Sequence, residues 1–266
     1  MNLKIAIGQY YPTESKIHKL DPRAKLLGLT IFMVMIFSAT NFFGYFVAGI
    51  GLLIVTMMSQ VPIRFMLRGL RAIIFIMIFV VLMNMFWTFS GNVLFEFGFL
   101  RVTDDGLFAA GRMGSRLVLL IIASSVLTLT TSPIELTDGL EYILKPFKRI
   151  GVPAHEIAMM MTIALRFIPT LMEETDRIMK AQISRGADFD TGGIVKKAKA
   201  VIPLLVPLFI SAFRRADELA LAMEARCYRG DENRTRMKKL GFLRADYIFI
   251  CAQIVFLILA LVTRVL

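Results

Sequence analysis

Two arginines stand out for their setting: Arg185 in Ser184-Arg185-Gly186 and Arg226 in Ala225-Arg226-Cys227. They lie 41 residues apart, and Asp176, Ala181 and Arg185 match Asp217, Ala222 and Arg226 at identical offsets. A guanidinium at a helix end offers a planar fork of donors, suited to carboxylates or exposed carbonyls of another protein. Glycine after Arg185 suits the left-handed residue that closes a helix and leaves the arginine on the last turn. One such arginine alone is accounted for as a cation complementing the helix dipole. The repeated arrangement points instead to two matched docking points. Other chemistry is sparse. His18 and His155 are isolated in sequence, Cys227 and Cys251 have no metal-ligand spacing, and no Gly-x-x-x-x-Gly-Lys-Ser/Thr loop occurs. No catalytic residues, no metal ligands and no cofactor of its own are expected.

The elements that carry these arginines are two long helices. The first runs from Pro153, with Met160, Ala164, Phe167 and Leu171 on one stripe and a kink expected at Pro169. The second starts near Ile194, with Leu205, Phe209, Ala212 and Ala216 on its stripe. Small residues in both stripes allow close crossing. The first halves are nearly pure apolar, which suits packing of the two helices across each other at the membrane face. A third helix opens at Pro133.

Composition places the chain in a membrane. It is 57% apolar and only 19% charged, with mean hydropathy +0.68, beyond the range of soluble domains. The net charge of +11 does not indicate nucleic-acid binding, because the basic residues fall where membrane topology puts them. The polar head of 25 residues, with Lys4, Lys16, Lys19, Arg23 and Lys25, does not read as a cleavable leader. The expected fold is an all-α integral membrane protein. Residues 1–131 hold spans at about 24–40, 43–59, 72–89 and 110–130. A small extracellular hairpin is expected at 91–106, residues 132–245 form a module of three amphipathic helices, and 246–266 is a fifth span. Pro62, Arg64, Arg68 and Arg71 read as a short basic loop. With five spans, 27 of the 31 Lys and Arg fall on one side, which makes the N-terminus and 132–245 cytoplasmic and the C-terminus external. Within 133–245, 19 basic residues are interleaved with 14 acidic ones, a mixture that fits a protein partner better than anionic headgroups.

These residues resemble a known family, the transmembrane scaffold (T component) of energy-coupling factor (ECF) transporters, which are bacterial ABC importers. At the N-terminus the resemblance rests on Gly8, Tyr10, Pro12, Ser15, His18, Leu20-Asp21-Pro22-Arg23 and Lys25. Further on it rests on Leu165-Arg166-Phe167-Ile168-Pro169, Ala181 through Gly186 and Ala222 through Arg226. It implies a non-catalytic subunit of the bacterial cell membrane, with coupling helices from near Pro133, Pro153 and Ile194. The last two would dock through their arginine motifs on two ABC ATPases, which bind ATP and Mg. ATP-driven motion would pass to a separate membrane-embedded S component that binds a vitamin or other micronutrient. Ser184 and Cys227 depart from the family's Ala-Arg-Gly pattern, and Cys227 leaves open whether the second helix runs on towards Gly230. The alternative readings are a permease with its own substrate pathway and an intramembrane enzyme. The spans show neither an internal repeat nor paired ionisable groups.

Overall fold

A computed structural model of the chain describes residues 10–88, 90–97, 100–187, 189, 193–230 and 240–265. Lys4, Gly8, Gly98 and Phe99 lie outside the described residues. The chain divides into two compact units, Met1–Gly139 with Lys238–Leu266, and Leu140–Met237.

The first unit is a helical bundle. It contains α1 (Pro22–Ser38), α2 (Phe42–Ser59), α3 (Ile63–Trp87), α4 (Asp104–Thr130), the start of α5 (Pro133–Leu144) and α8 (Arg244–Val265). Asp21 caps α1 by accepting from the Arg23 N–H at 2.9 Å, and Pro22 occupies the first helical position, where its missing N–H costs nothing. Thr103 caps α4 in the same way, accepting from the Gly106 N–H at 3.1 Å. Ser132 and Glu135 form a reciprocal capping box at α5, each side chain accepting from the other's backbone N–H at 3.3 Å.

The core packs Phe32, Met35 and Ile36 of α1 with Tyr45, Ala48 and Leu52 of α2, Ala123 of α4 and Ala260 of α8. Small residues set the helix spacing. Gly28 lets Phe249 of α8 lie directly on α1, where an added Cβ would meet the ring at 2.5 Å, and Gly51 faces Phe256. Gly69 does the same for α3 on α4, with Ser125 Oγ 2.8 Å from a would-be Cβ. Lipid hydrocarbon supplies no hydrophobic drive between helices, so such close approach is the main source of attraction.

Among the described residues, three helices are long and apolar enough to cross a membrane: Phe42–Ser59, Asp104–Thr130 and Arg244–Val262. A fourth is Ile63–Arg71 with Ile73–Trp87, two segments bent by 60°, if the pair counts as one span. α1 has 17 residues, about 26 Å at 1.5 Å per residue, slightly short of the ~30 Å hydrocarbon layer. The architecture is all-α as expected; three spans meet the length and hydropathy test, and the expected five would need both the bent pair and α1.

The hairpin is present. β1 (Val93–Phe97) pairs antiparallel with β2 (Leu100–Thr103), with Glu96 opposite Arg101 and Phe97 opposite Leu100. One expectation is corrected: residues 63–71 are helical, not a loop. Pro62 precedes the first turn, and Met66 is buried among Val61, Val126 and Leu129, so the segment folds on the bundle. Replacing Gly28 with Val should force α8 off α1 and cost roughly 1–3 kcal/mol. Denaturant unfolding of the purified chain in mild detergent measures this, and Gly193→Val, where nothing lies within 4 Å of a Cβ, is the control.

Candidate functional site

The second unit carries the arginine motifs. It holds the last residues of α5, a 3₁₀ turn (Lys145–Ile150), α6 (Ala154–Ser184) and α7 (Ile194–Ala225). Pro169 lies inside α6, and Pro203 and Pro207 lie inside α7. α6 and α7 pack on each other. Glu174 of α6 meets Arg215 of α7 at 3.6 Å. At the start of α6, His155 Nδ1 lies 3.1 Å from Glu141 Oε1 and its Nε2 lies 3.5 Å from the Tyr228 hydroxyl. These two cross-contacts run in opposite chain directions, so the turn after α7 returns to the base of α6.

Both helices end in the same way. After α6, the Gly186 N–H donates to the Ile183 carbonyl at 2.9 Å and the Ala187 N–H to the Gln182 carbonyl at 3.0 Å. After α7, the Cys227 N–H donates to Glu224 at 2.8 Å and the Tyr228 N–H to Met223 at 3.0 Å. This is the paired 5→2 and 6→1 pattern of a Schellman cap. Arg185 (φ −88, ψ 5) and Arg226 (φ −92, ψ 12) hold equivalent cap positions. The next residue is left-handed in each case, Gly186 at φ 85 and Cys227 at φ 55. The second helix therefore stops at Arg226 and does not run on to Gly230.

Ser184, Arg185, Gly186, Ala225, Arg226 and Cys227 are all exposed. Among the described residues, no carboxylate pairs with either arginine. The Ser184 hydroxyl donates back to the Lys180 carbonyl at 3.1 Å, so it is satisfied within its own helix. Arg226 sits two residues from Tyr228, at the base of α6. Arg185 sits at the other end of that 31-residue helix. At 1.5 Å per residue the two tips are on the order of 40 Å apart.

The apolar stripes are placed less evenly. Phe167, Leu171 and Ala212 are half-buried, whereas Met160, Ala164, Leu205, Phe209 and Ala216 are exposed. On α7 the buried neighbour is Leu204, and Leu205 and Phe209 join Ile202, Val206 and Phe213 on an open apolar side.

A second constellation, in the first unit, was only partly visible in the sequence. Asp246 is fully buried at the start of α8. Its Oδ2 accepts from the Leu243 N–H at 2.7 Å, and its Oδ1 accepts from the Asp21 N–H at 2.8 Å. One carboxylate thus holds the start of α8 and the start of α1. Beside it, buried Arg23 bonds Asp21 through Nε at 3.1 Å and lies over the Phe242 ring. The Lys25 ammonium donates to the His18 and Thr130 carbonyls at 3.1 and 2.9 Å, which ties in the end of α4. Asp246 had a readable signal: an acid in the first turn of an otherwise apolar helix.

His18 completes the knot. Its Nε2 faces the Tyr11 carbonyl at 3.0 Å and must carry the proton there. Its Nδ1 then accepts from the Ser15 hydroxyl at 2.6 Å. Burial holds this imidazole below its usual 6.5, the Lys25 ammonium pushes the same way, and the Tyr11 carbonyl and Glu135 oppose them.

This is an all-α membrane protein in which two long helices end in exposed arginines held in matching caps. Residues 13–237 match the family model described as CbiQ, cobalt transport protein. Curated relatives named energy-coupling factor transporter transmembrane protein EcfT match nearly end to end. The protein of Thermosediminibacter oceani is 56% identical over 243 residues, 91% of each chain. That of Ruminiclostridium cellulolyticum is 54% identical over 253 residues, 95% of this chain and 94% of its own. That of Bacillus subtilis is 47% identical over 249 residues, 94% of each. The chain belongs to this family of transmembrane components of ECF transporters.

Two outcomes follow from the geometry. His18 has a lowered folded pKa, so below pH 6.5 the unfolded chain takes up a proton that the folded chain resists. Stability is complete above pH 6.5 and falls as pH drops towards the folded pKa; in His18→Gln that acid-side slope should vanish from melting curves in detergent. A non-glycine residue in the left-handed region costs roughly 1–2 kcal/mol. Cys227→Gly should therefore tighten the α7 cap, read as slower amide exchange at residues 227 and 228.

Proposed function

We propose that this chain is the energy-coupling subunit of an ECF-type importer in a bacterial cell membrane, in which Arg185 and Arg226 each seat in one of two ABC ATPases. The observation that carries this reading is the duplicated helix ending. Two exposed arginines, with no carboxylate partner among the described residues, occupy identical caps at tips far enough apart to meet two separate partners. A rigid Schellman cap suits the task, because force entering at the arginine passes into hydrogen-bonded helix and not into a loose loop. ATP and Mg belong to the ATPases. Closure of the ATPases would move the tips, and α6 and α7 would carry that displacement along their length.

The receiving partner is a membrane-embedded S component that binds a vitamin or other micronutrient. The open apolar side of α7, with Leu205 and Phe209, and the exposed Met160 and Ala164 of α6 offer it an apolar contact surface. In this reading residues 132–245 and the N-terminus face the cytoplasm, the hairpin and the C-terminus lie outside, and α1 completes five spans. The partners are then two ATPases, the S component and lipid, with no nucleic acid. The family model's description names cobalt, while the relatives' names carry no substrate; the N-terminal segment favours a scaffold shared among several S components. Membership of a transporter-subunit family favours this role over a self-contained permease or an intramembrane enzyme.

Co-expression with the ATPases tests the docking. Arg185→Glu/Arg226→Glu should abolish co-purification, each arginine contributing a few kcal/mol as a paired contact. Each single variant should weaken it, and the variant chain should still elute as a folded species. Full-strength binding of both ATPases by the double variant would refute the docking role.

A further inference from the structure

The segment first read as a basic loop has a built asymmetry. Residues Ile63–Arg71 form the first part of α3, bent by 60° from Ile73–Trp87. At 100° per residue, Phe65, Met66 and Gly69 share one face. That face packs inward: Met66 is buried with Val61, Val126 and Leu129, Phe65 stacks on Tyr11 at 5.1 Å, and Gly69 abuts Ser125. Ile63, Leu67 and Leu70 share a second face within about 60° of arc. Ile63 and Leu67 are 64% and 50% exposed. Arg64, Arg68 and Arg71 share a third arc of similar width between the other two, and all three are exposed.

This is three-way patterning: one face for protein, one for hydrocarbon, one for charge. The segment sits where the chain must leave the apolar layer, after the end of α2 at Ser59 and before the apolar run from Ile73. The positive charge is uncompensated. No Asp or Glu occurs anywhere between Asp21 and Glu96. Among the described residues no carboxylate pairs with Arg64, Arg68 or Arg71. Arg68 lies over the Phe65 ring at 4.9 Å, which fixes its plane while leaving its N–H groups open.

We infer that the Arg64, Arg68 and Arg71 face is a binding surface for anionic phospholipid headgroups, holding the bent segment of α3 in the interface. A guanidinium matches a lipid phosphate with two parallel hydrogen bonds, and a basic residue near an anionic leaflet contributes about 1 kcal/mol. The neighbouring Ile63 and Leu67 would enter the acyl region below the same headgroups. This inference does not depend on the ATPase reading.

The test uses the full chain, delipidated in mild detergent and incubated with mixed micelles containing phosphatidylglycerol or phosphatidylcholine. Native mass spectrometry reads the lipid retained. The wild type should keep phosphatidylglycerol in preference. Neutralising each arginine should cut that preference about fivefold, and Arg64→Gln/Arg68→Gln/Arg71→Gln should erase it. The triple Arg→Lys variant should keep most of it and lose it as salt is raised. An undiminished preference in the triple Gln variant would overturn the inference. Should that variant fail to fold, a preference independent of salt in the Lys variant would overturn it equally. Displacement of the lipid by inorganic phosphate would also overturn it, as would loss of ATPase co-purification with lipid preference intact, which would make the face a protein contact.

Discussion

The bundle depends on one buried carboxylate. Asp246 accepts from the backbone N–H groups of Leu243 and Asp21, residues more than two hundred positions apart in the chain. Each N–H belongs to the start of a helix and has no intrahelical partner. Satisfying both with a single charged acceptor fixes α1 beside α8 before any apolar side chain is counted. Arg23 and Lys25 then enter a buried site because Asp21, the helix carbonyls and the Phe242 ring receive them. Buried ionic groups without such partners would destabilise strongly. Asp21, Arg23 and Lys25, which carry part of the family resemblance, are therefore among the residues that close the bundle.

The rest of the bundle follows from close approach. With α1 and α8 fixed, Gly28 admits Phe249 at a distance that leaves no room for a Cβ, and Gly51 faces Phe256 at ordinary contact distance. Rigidity of this kind matters for a scaffold. The second unit shows the complementary property: its helices are long, contain three prolines and expose much of their apolar surface.

The caps of α6 and α7 show how a departure from pattern is tolerated. Cys227 adopts the left-handed conformation that glycine adopts at Gly186, and the two hydrogen bonds of the cap are retained. The cap geometry, and with it the orientation of Arg226, survives because hydrogen bonding offsets the steric cost of a Cβ at positive φ.

Much of the architecture is local physical chemistry and was legible along the chain. Asp21-Pro22 starts α1, Ser132-Pro133 starts α5, Gly186 ends α6, and hydrophobic runs mark the helices, because caps and apolar length act within a few residues. The phase of packing was not legible in residues 201–210, where nearly every residue is apolar and periodicity carries no information. Only the fold shows that Leu204 turns inward and Leu205 outward. The same holds for residues 63–71, whose arginines suggested a loop until Met66 was seen to pack on α4. It holds most of all for Asp246, whose second partner is distant in sequence. Local order was written in the chain; which polar groups are buried together was decided by tertiary structure, because only there do distant backbone donors meet one acceptor.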